Sequence, residues 1–395
     1  MSGFEALGAI LVGLVLLGAI ELVLHRRRLM SIRYRVHVNG TRGKTSVTRL
    51  IAAGLRAGGL VTCAKTTGSL ARMILPDGRE LPIYRPAGAN IMEQKRIVAV
   101  AAAHQAEALV IECMALQPLL QSLSEFKLVR ATHGVVTNAR PDHLEVMGPT
   151  DRDVAMALAG MIPAKAKLFT SETKWRPLFE AVAKDRGAEL LGVCAEEEDI
   201  AAASKFSHVA HADNVALALA VCSDIGVERE VALQGMWQAA LDPGAMTERR
   251  IEFFGRRIVF VNGFAANDPV STEQVWELAV QRHETVERRI AVFNCRHDRP
   301  DRSVQLGEAF PKWSHADHVV LMGSGTFLLA RAATREGCDP GSFIFAEGQN
   351  VEEVFERIIG LVGSSALVMG MGNIGGNGLE LARYFNNRSA PELEE

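Results

Sequence analysis

Residues 32–55 read IRYRVHVNGTRGKTSVTRLIAAGL, and the fold class turns on them. The first seven, rich in β-branched and aromatic residues, predict a strand, and Lys44–Leu55 predicts a helix. Between them runs Asn39-Gly40-Thr41-Arg42-Gly43-Lys44-Thr45-Ser46. Glycines at such a turn let backbone N–H groups face phosphate oxygens, and the helix N-terminus adds partial positive charge. In this arrangement Lys44 reaches the β- and γ-phosphates, and the Thr45 hydroxyl can ligate Mg2+. Val38 stands where the longer G-x-x-x-x-G-K-[ST] loop has its first glycine, so this is the shorter form of the loop.

Outward from the loop, strands are expected at LVTCAKT (60–66), EALVIEC (107–113) and THGVVTN (132–138). RMILPDGRELPIYR (72–85) reads as two short strands around a Pro-Asp-Gly-Arg turn, and a helix is expected over 91–105. Strands alternating with helices predict an α/β fold, a mostly parallel sheet covered on both faces, with ligands at the carboxyl ends of the strands. Gly40, Glu112 and Asn138 fall at such ends. A second alternating series begins near Arg249, with RRIEFF, RRIVFVN, RRIAVFN, DHVVLM and ALVMG as strands. Asp242-Pro243-Gly244 is the expected boundary turn. The chain thus divides into 1–30, a 31–245 ATP-binding domain, a 246–388 Rossmann-like domain and a loose 389–395 tail.

The 395 residues are enough for two cores. A net charge of −3 supplies no basic field for nucleic acid, and none is expected as a partner. The six cysteines form no C-x-x-C pair, which suits reduced thiols. Leu7–Leu24 (LGAILVGLVLLGAIELVL) holds 18 residues with one charge, Glu21. That is the lower limit for a membrane-spanning helix. His25-Arg26-Arg27-Arg28 comes next, then Arg33 and Arg35, and no Lys or Arg precedes the run. Signal peptides have the reverse polarity. The positive-inside rule predicts a retained single-pass anchor in the cell (inner) membrane, N-terminus outside and body cytoplasmic. Glu21 is expected near the interface or facing a partner helix.

Further stretches carry a family resemblance. The short G-T-x-G-K-[ST] loop, the acidic strand end in VIECMAL, and Thr137-Asn138-Ala139-Arg140-Pro141-Asp142-His143-Leu144-Glu145 resemble the Mur ligases and folylpolyglutamate synthetase. The resemblance implies that Gly40, Thr41, Arg42, Gly43, Lys44, Thr45 and Ser46 bind ATP. It implies that Thr45, Glu112 and His143 hold Mg2+ or Mn2+, with Lys44, Glu112 and His143 as the catalytic set. HVAHADNVALALAV (208–221) resembles the family's adenine-contacting segment, with Asn214 in place and the expected H-N pair falling on Ala210-His211. Arg250 of Arg250-Ile251-Glu252 corresponds to a phosphate-reaching arginine. In Val261–Pro269, where the family carries a D-Y-A-H-N-P-like stretch, Asn262 and Asn267 remain as nucleotide contacts.

Two departures narrow the substrate. A phosphate loop starting at residue 40 leaves no room for a UDP-sugar-binding domain, so a UDP-muramyl substrate is not expected. The family's carbamoylated lysine aligns with Leu158, while Lys165 and Lys167 are out of register. Nearly the whole chain resembles the ligase subunits of poly-γ-glutamate synthase, a branch of the Mur ligase superfamily. The motifs are VNGTRGKTSVTRLI, AKTTGS, RPAGANIMEQ, IECMALQP, VNGFAANDPVST, FNCRHDRPDRS and MGNIGGNG. This resemblance implies ADP-forming amide synthesis with glutamate and the growing polyglutamate chain as substrates. It also implies small integral-membrane synthase or export subunits as partners, and is compatible with a homo-oligomer. Thr67, Arg72, Arg85, Arg296 and Arg302 become the candidate substrate contacts, the arginines because guanidinium binds carboxylate bidentately. A Mur-like ligase for another amino acid or peptide, as in cyanophycin synthesis, is the alternative. A non-ligase membrane ATPase is the third reading.

Overall fold

The computed structural model describes residues 3–67, 71–85, 88–206, 210–239, 247–264, 266 and 268–389. The chain forms two compact units, Met1–Ala240 and Leu241–Glu395. The expected boundary turn at Asp242-Pro243-Gly244, Asn267 and most of the 389–395 tail lie outside the described residues.

The first unit holds eight strands: β1 Tyr34–Asn39, β2 Thr62–Lys65, β3 Arg72–Ile74, β4 Glu80–Pro82, β5 Ala108–Glu112, β6 His133–Val136, β7 Lys167–Thr170 and β8 Glu189–Gly192. Their order is β4-β3-β2-β5-β1-β6-β7-β8. The hairpin β3–β4 and the β2–β3 pair are antiparallel. The other pairs are parallel. Strand β1 is central, and its last four residues are buried. A strand covered on both faces reads as a continuous run rather than an alternating one. The helix Lys44–Ala57 covers one face, burying Val47, Leu50, Ile51 and Leu55 with Val36 and Val38. Gly54 lets it approach helix Ala212–Ile225 closely, since a Cβ there would stand 2.8 Å from the Cys222 Sγ. On the other face, helix Glu93–Ala103 buries Ile97, Val98 and Ala101 with Leu109 and Ile111. Strands β7 and β8 were not expected from the sequence, and β8 is a half-exposed edge with no apolar run.

One helix runs Gly3–Ser31. From Leu7 it is long and apolar enough to cross a membrane. Its large apolar side chains from Phe4 to Leu24 are exposed, whereas His25 and Leu29, one turn apart, are buried. The His25 Nε2 bonds the Leu128 carbonyl at 3.0 Å, and Leu29 joins the Ile97–Ile111 core. Glu21, expected at the interface or on a partner helix, pairs with Lys95 at 3.0 Å. The apolar helix and the first unit are therefore one continuous element rather than an anchor on a loose tether.

The second unit holds β9 Thr247–Phe253, β10 Arg256–Asn262, β11 Arg288–Cys295, β12 His318–Gly323, β13 Phe343–Glu347 and β14 Ser365–Gly372. The order is β13-β12-β11-β14-β10-β9, with only β9 antiparallel to its neighbour. Helices Pro269–Arg282, Pro300–Ala309 and Thr326–Arg335 pack on one face. Helices Val351–Leu361 and Asn377–Asn386 pack on the other. Strand β13, FIFAE, was not expected, because only one of its five residues is buried.

Candidate nucleotide and metal site

The loop after β1 has the shape its glycines allow. Gly40 has φ 133° and Gly43 φ 79°. A Cβ on Gly40 would sit 2.0 Å from the Thr137 hydroxyl, and one on Gly43 would sit 2.7 Å from the Asn214 carboxamide. Both positions need glycine for backbone angle and for space. No side chain caps the helix that starts at Lys44, so its first N–H groups keep the character of an anion site. The Lys44 ammonium lies back along the loop, donating to the Gly40 carbonyl at 2.6 Å and the Thr41 carbonyl at 3.3 Å.

Three hydroxyl and carboxylate groups converge beside it. Thr45 Oγ1 donates to Glu112 Oε2 at 3.0 Å. The Thr67 N–H donates to the same oxygen at 2.7 Å, and the Thr67 hydroxyl donates to Oε1. Glu112 is 2 % exposed. Strand pairing explains the meeting: Glu112 ends β5, directly opposite Val38 on β1, so it lies below the loop. A carboxylate with a neighbouring hydroxyl is a suitable hard-oxygen set for Mg2+, which otherwise takes water and substrate phosphate. Among the described residues no three His, Cys, Asp or Glu side chains form a metal cage. Thr67, expected at the substrate, bonds the candidate metal carboxylate.

The 137–145 segment closes the other side of the loop. The Thr137 hydroxyl and the Asn138 amide donate to the Arg42 carbonyl at 2.5 and 3.2 Å. Asn138 Oδ1 accepts from the Thr41 hydroxyl at 2.7 Å and the Arg42 N–H at 3.1 Å. The Arg42 guanidinium pairs with Asp142 at 3.1 Å. His143 adopts φ 50° and stands 3.3 Å from Glu145. Ser46 lies in the first turn of the loop helix.

Sequence reasoning missed a buried polar group behind Glu112. Lys65 is 0 % exposed and lies 2.8 Å from Glu93 and 3.5 Å from Met114 Sδ. Arg85 grips the same Glu93 through two bonds of 2.8 and 2.7 Å. Burial lowers the Lys65 ammonium's proton affinity although Glu93 opposes it. Burial likewise raises the Glu93 carboxyl, but Arg85 and Lys65 outweigh it and hold it below the usual range. A lysine ending an apolar strand, in AKTTGS, was the signal. Below the loop on β1, His37 meets Glu125 at 2.8 Å. Burial pushes the imidazole down, yet Cys113 and Glu125 raise it to about 9.

The remaining candidates separate by environment. The Asn214 carboxamide lies close over Gly43 of the loop. Leu158 is fully buried, and Lys167 pairs with Asp224. Arg72 opens β3 with no ion pair among the described residues, and its Nε is buried without a partner. In the second unit, Arg250 is exposed on the edge strand β9. Asn262 ends β10 with Oδ1 buried and unpartnered. Arg296 already grips Asp298 at 2.9 and 2.7 Å, and Arg302 donates to Asn373 at 2.6 Å.

The Mur ligase middle domain profile matches residues 38–240, and the profile of the poly-gamma-glutamate synthase CapB C-terminal domain matches residues 249–388. The chain is 37% identical to the capsule biosynthesis protein CapB of Bacillus anthracis, over 94% of this chain and 80% of that one. It is 34% identical to the PGA synthase CapB of Bacillus subtilis, over 96% and 97%. Among solved structures, E. coli FolC in complex with ADP superposes with a TM-score of 0.68 at 17% identity, covering 94% of each chain. Folylpolyglutamate synthase/dihydrofolate synthase of Yersinia pestis, complexed with AMPPNP and Mn ion, gives 0.66 at 15% identity and 92% coverage of each. At such identity these two establish shared fold only. With the Mur ligase profile covering the phosphate loop and the Glu112 strand, the CapB profile covering β14, and two relatives above 30% identity along most of the chain, the chain belongs to the CapB family of poly-γ-glutamate synthases, within the Mur ligases.

Proposed function

We propose that this chain is a membrane-anchored, ATP-dependent ligase that joins glutamate into poly-γ-glutamate, releasing ADP and phosphate. The observation that carries the reading is the convergence of Thr45, Thr67 and Glu112 beside a loop bearing Lys44. A substrate carboxylate oxygen attacks the γ-phosphorus of ATP, and ADP leaves. The amine of a second glutamate then attacks the acyl-phosphate carbonyl, phosphate leaves, and the nitrogen loses a proton. Lys44 and the loop N–H groups carry the charge that builds on the transferring phosphoryl group. Thr45 and Glu112 would hold Mg2+ or Mn2+, with His143 as a further candidate ligand. The ion, when bound, supplies positive charge to the β- and γ-phosphate oxygens. Asn138 and Thr137 hold the loop's shape, and Asn214, beside Gly43, is the proposed adenine contact. Arg250, Asn262 and Asn267 are proposed nucleotide contacts from the second unit.

The apolar helix would place the body at the inner face of the cell membrane, since the basic residues 26–28 come directly after it. Its uncovered apolar sides suit lipid or small membrane subunits that take the polymer onward. The test uses membranes holding the full chain and its partners, with ATP, Mg2+ and labelled amino acids supplied in turn. Phosphate release is expected only with glutamate, and Glu112→Gln should raise the Mg2+ concentration needed for half-maximal rate. Release driven by another amino acid would favour the cyanophycin-like alternative. Release with no amino acid would make the chain a membrane ATPase.

A further inference from the structure

The contacts of helix Gly3–Ser31 set the direction in which the first unit hangs from it. Strands β1, β2, β5 and β6 are parallel and finish at one edge of the sheet, the edge that carries the phosphate loop and Glu112. Helix Glu93–Ala103 starts at that edge, because Glu93 in its first turn meets Lys65, the last residue of β2, at 2.8 Å. Lys95, in the same turn, holds Glu21 of the apolar helix at 3.0 Å. Glu21 is therefore level with the phosphate-loop edge. From Glu21 the helix runs towards the opposite edge, past the His25 bond to the Leu128 carbonyl and Leu29 in the Ile97–Ile111 core, and ends just before β1 begins. Lengths agree: Glu21–Ser31 spans about 15 Å of helix, and Tyr34–Asn39 brings the chain back by about 17 Å of strand. In the other direction the helix leaves the body past the phosphate-loop edge, and its large apolar side chains from Leu7 to Ile20 are exposed.

Three more apolar side chains stand exposed at this same edge, each from a different segment. Tyr84, 79 % exposed, follows β4, whose last residue Pro82 pairs with Arg72 beside Thr66. Met92, 46 % exposed, directly precedes the Glu93 helix. Leu119, 69 % exposed, lies in the first turn of helix Pro118–Leu123, which follows β5. Exposed Arg96 stands beside Lys95, and exposed Arg26, Arg27 and Arg28 follow Glu21 along the apolar helix. Amphipathic tyrosine and basic side chains suit the headgroup level of a bilayer.

We propose that the phosphate-loop edge of the first unit lies against the lipid headgroups of the bilayer that the apolar helix spans, with Tyr84, Met92 and Leu119 as its lipid contacts. This rests on the anchor reading above and adds an orientation to it. A flexible tether would leave the body free to turn, whereas the Glu21–Lys95 pair, the His25 bond and the Leu29 packing join helix and body at three points. The edge with the phosphate loop then faces the membrane, and the opposite edge, with His104 after the Glu93 helix, faces the solvent. The amide bond is made at the membrane surface.

The experiment places the full chain, body outward, in vesicles of phosphatidylcholine and phosphatidylglycerol. Cys194→Ser and Cys338→Ser remove the thiols that are not buried. In that background Tyr84→Cys, Leu119→Cys and His104→Cys each carry one fluorophore, on positions exposed enough to leave the fold alone. Lipid brominated near the headgroup should quench the labels at 84 and 119, and iodide in the water should quench the label at 104. A chain that alkaline carbonate strips from the vesicles overturns the anchor reading, and the orientation with it. A retained chain whose labels at 84 and 119 answer only to iodide overturns the orientation and leaves the anchor standing. Equal quenching by brominated lipid at all three positions lays the body on its side and overturns it too. Labels at 84 and 119 that answer to iodide in vesicles, but to neither quencher in native membranes, would give this edge to a protein partner instead of lipid.

Discussion

Each sheet ends one central strand in a glycine-rich turn that leads into a helix, and the two turns have different fates. After β1, the turn 39–46 leads into a helix with no side-chain cap, the Lys44 ammonium lies on the loop's own Gly40 and Thr41 carbonyls, and Thr45 reaches Glu112. After β14, the turn Gly372-Asn373-Ile374-Gly375-Gly376 closes on the protein instead. The Asn294 amide donates to the Asn373 and Gly375 carbonyls at 2.5 and 3.0 Å. The Asn373 amide returns to the Asn294 carbonyl at 3.1 Å, and Arg302 holds the Asn373 side chain. Glycine permits a tight turn in both. The other residues of each turn decide its role: a lysine and a hydroxyl make a phosphate site, whereas asparagines facing a neighbouring strand make a rivet between β11 and β14.

The contrast breaks hardest at Lys44. Lys44→Ala should lower the rate of ATP-dependent phosphate release by roughly 10²–10³, as loss of one transition-state donor does elsewhere. The fold should persist, because the ammonium bonds only loop carbonyls. Circular dichroism and single-turnover kinetics on one preparation test both halves. Near-native turnover would dissolve the distinction between the two turns.

A smaller effect should separate the glycines. Gly43→Ala forces a left-handed angle on a side chain, about 1–2 kcal/mol, and drives its Cβ into Asn214. ATP affinity should fall ~tenfold or more. Gly376→Ala meets a positive φ of 68° but open space. It should lower the thermal midpoint of the protein and leave ATP affinity alone. Equal losses of ATP affinity in both variants, measured by calorimetry, would mean the second turn also serves the nucleotide.

The smallest effect is a pH dependence confined to the first unit. His37 has a folded pKa raised to about 9 against 6.5 for the free side chain. A raised histidine stabilises fully below about pH 6.5, and that contribution is lost as pH climbs through about 9. The thermal midpoint should therefore drop by a few degrees between those values. Glu125→Gln, which removes the carboxylate partner, should flatten the slope. An unchanged slope in that variant would assign the pH dependence to other groups.

Local pattern carried a good deal of this. Strand β1, the loop, its helix and the alternation beyond them were legible because they depend on neighbours in sequence: β-branched runs, glycines at a turn, a 3.6-residue apolar period. Glu112 could be picked out as a polar residue closing an apolar run. The apolar helix announced itself by length and flanking charge, although nothing in it foretold that His25 and Leu29 would lock it to the body. The short strands β7, β8 and β13 were lost because their order comes from the strand beside them rather than from their own residues.

By itself, the sequence determined a phosphate loop on a parallel α/β sheet, a second α/β unit, an apolar helix and a family, because each is written in contiguous residues. Tertiary structure alone decided which arginines are spoken for. Arg85 and Arg296 were equal candidates for a substrate carboxylate until folding paired Arg296 with Asp298 and set Arg85 on Glu93, which Lys65 also contacts. It also set a buried lysine, Lys65, against Glu93 and left the Gln94 amide without a partner, an arrangement that exists only once β2, β5 and the Glu93 helix meet. Burial and pairing are properties of the assembled sheet, and short-range pattern has no term for them.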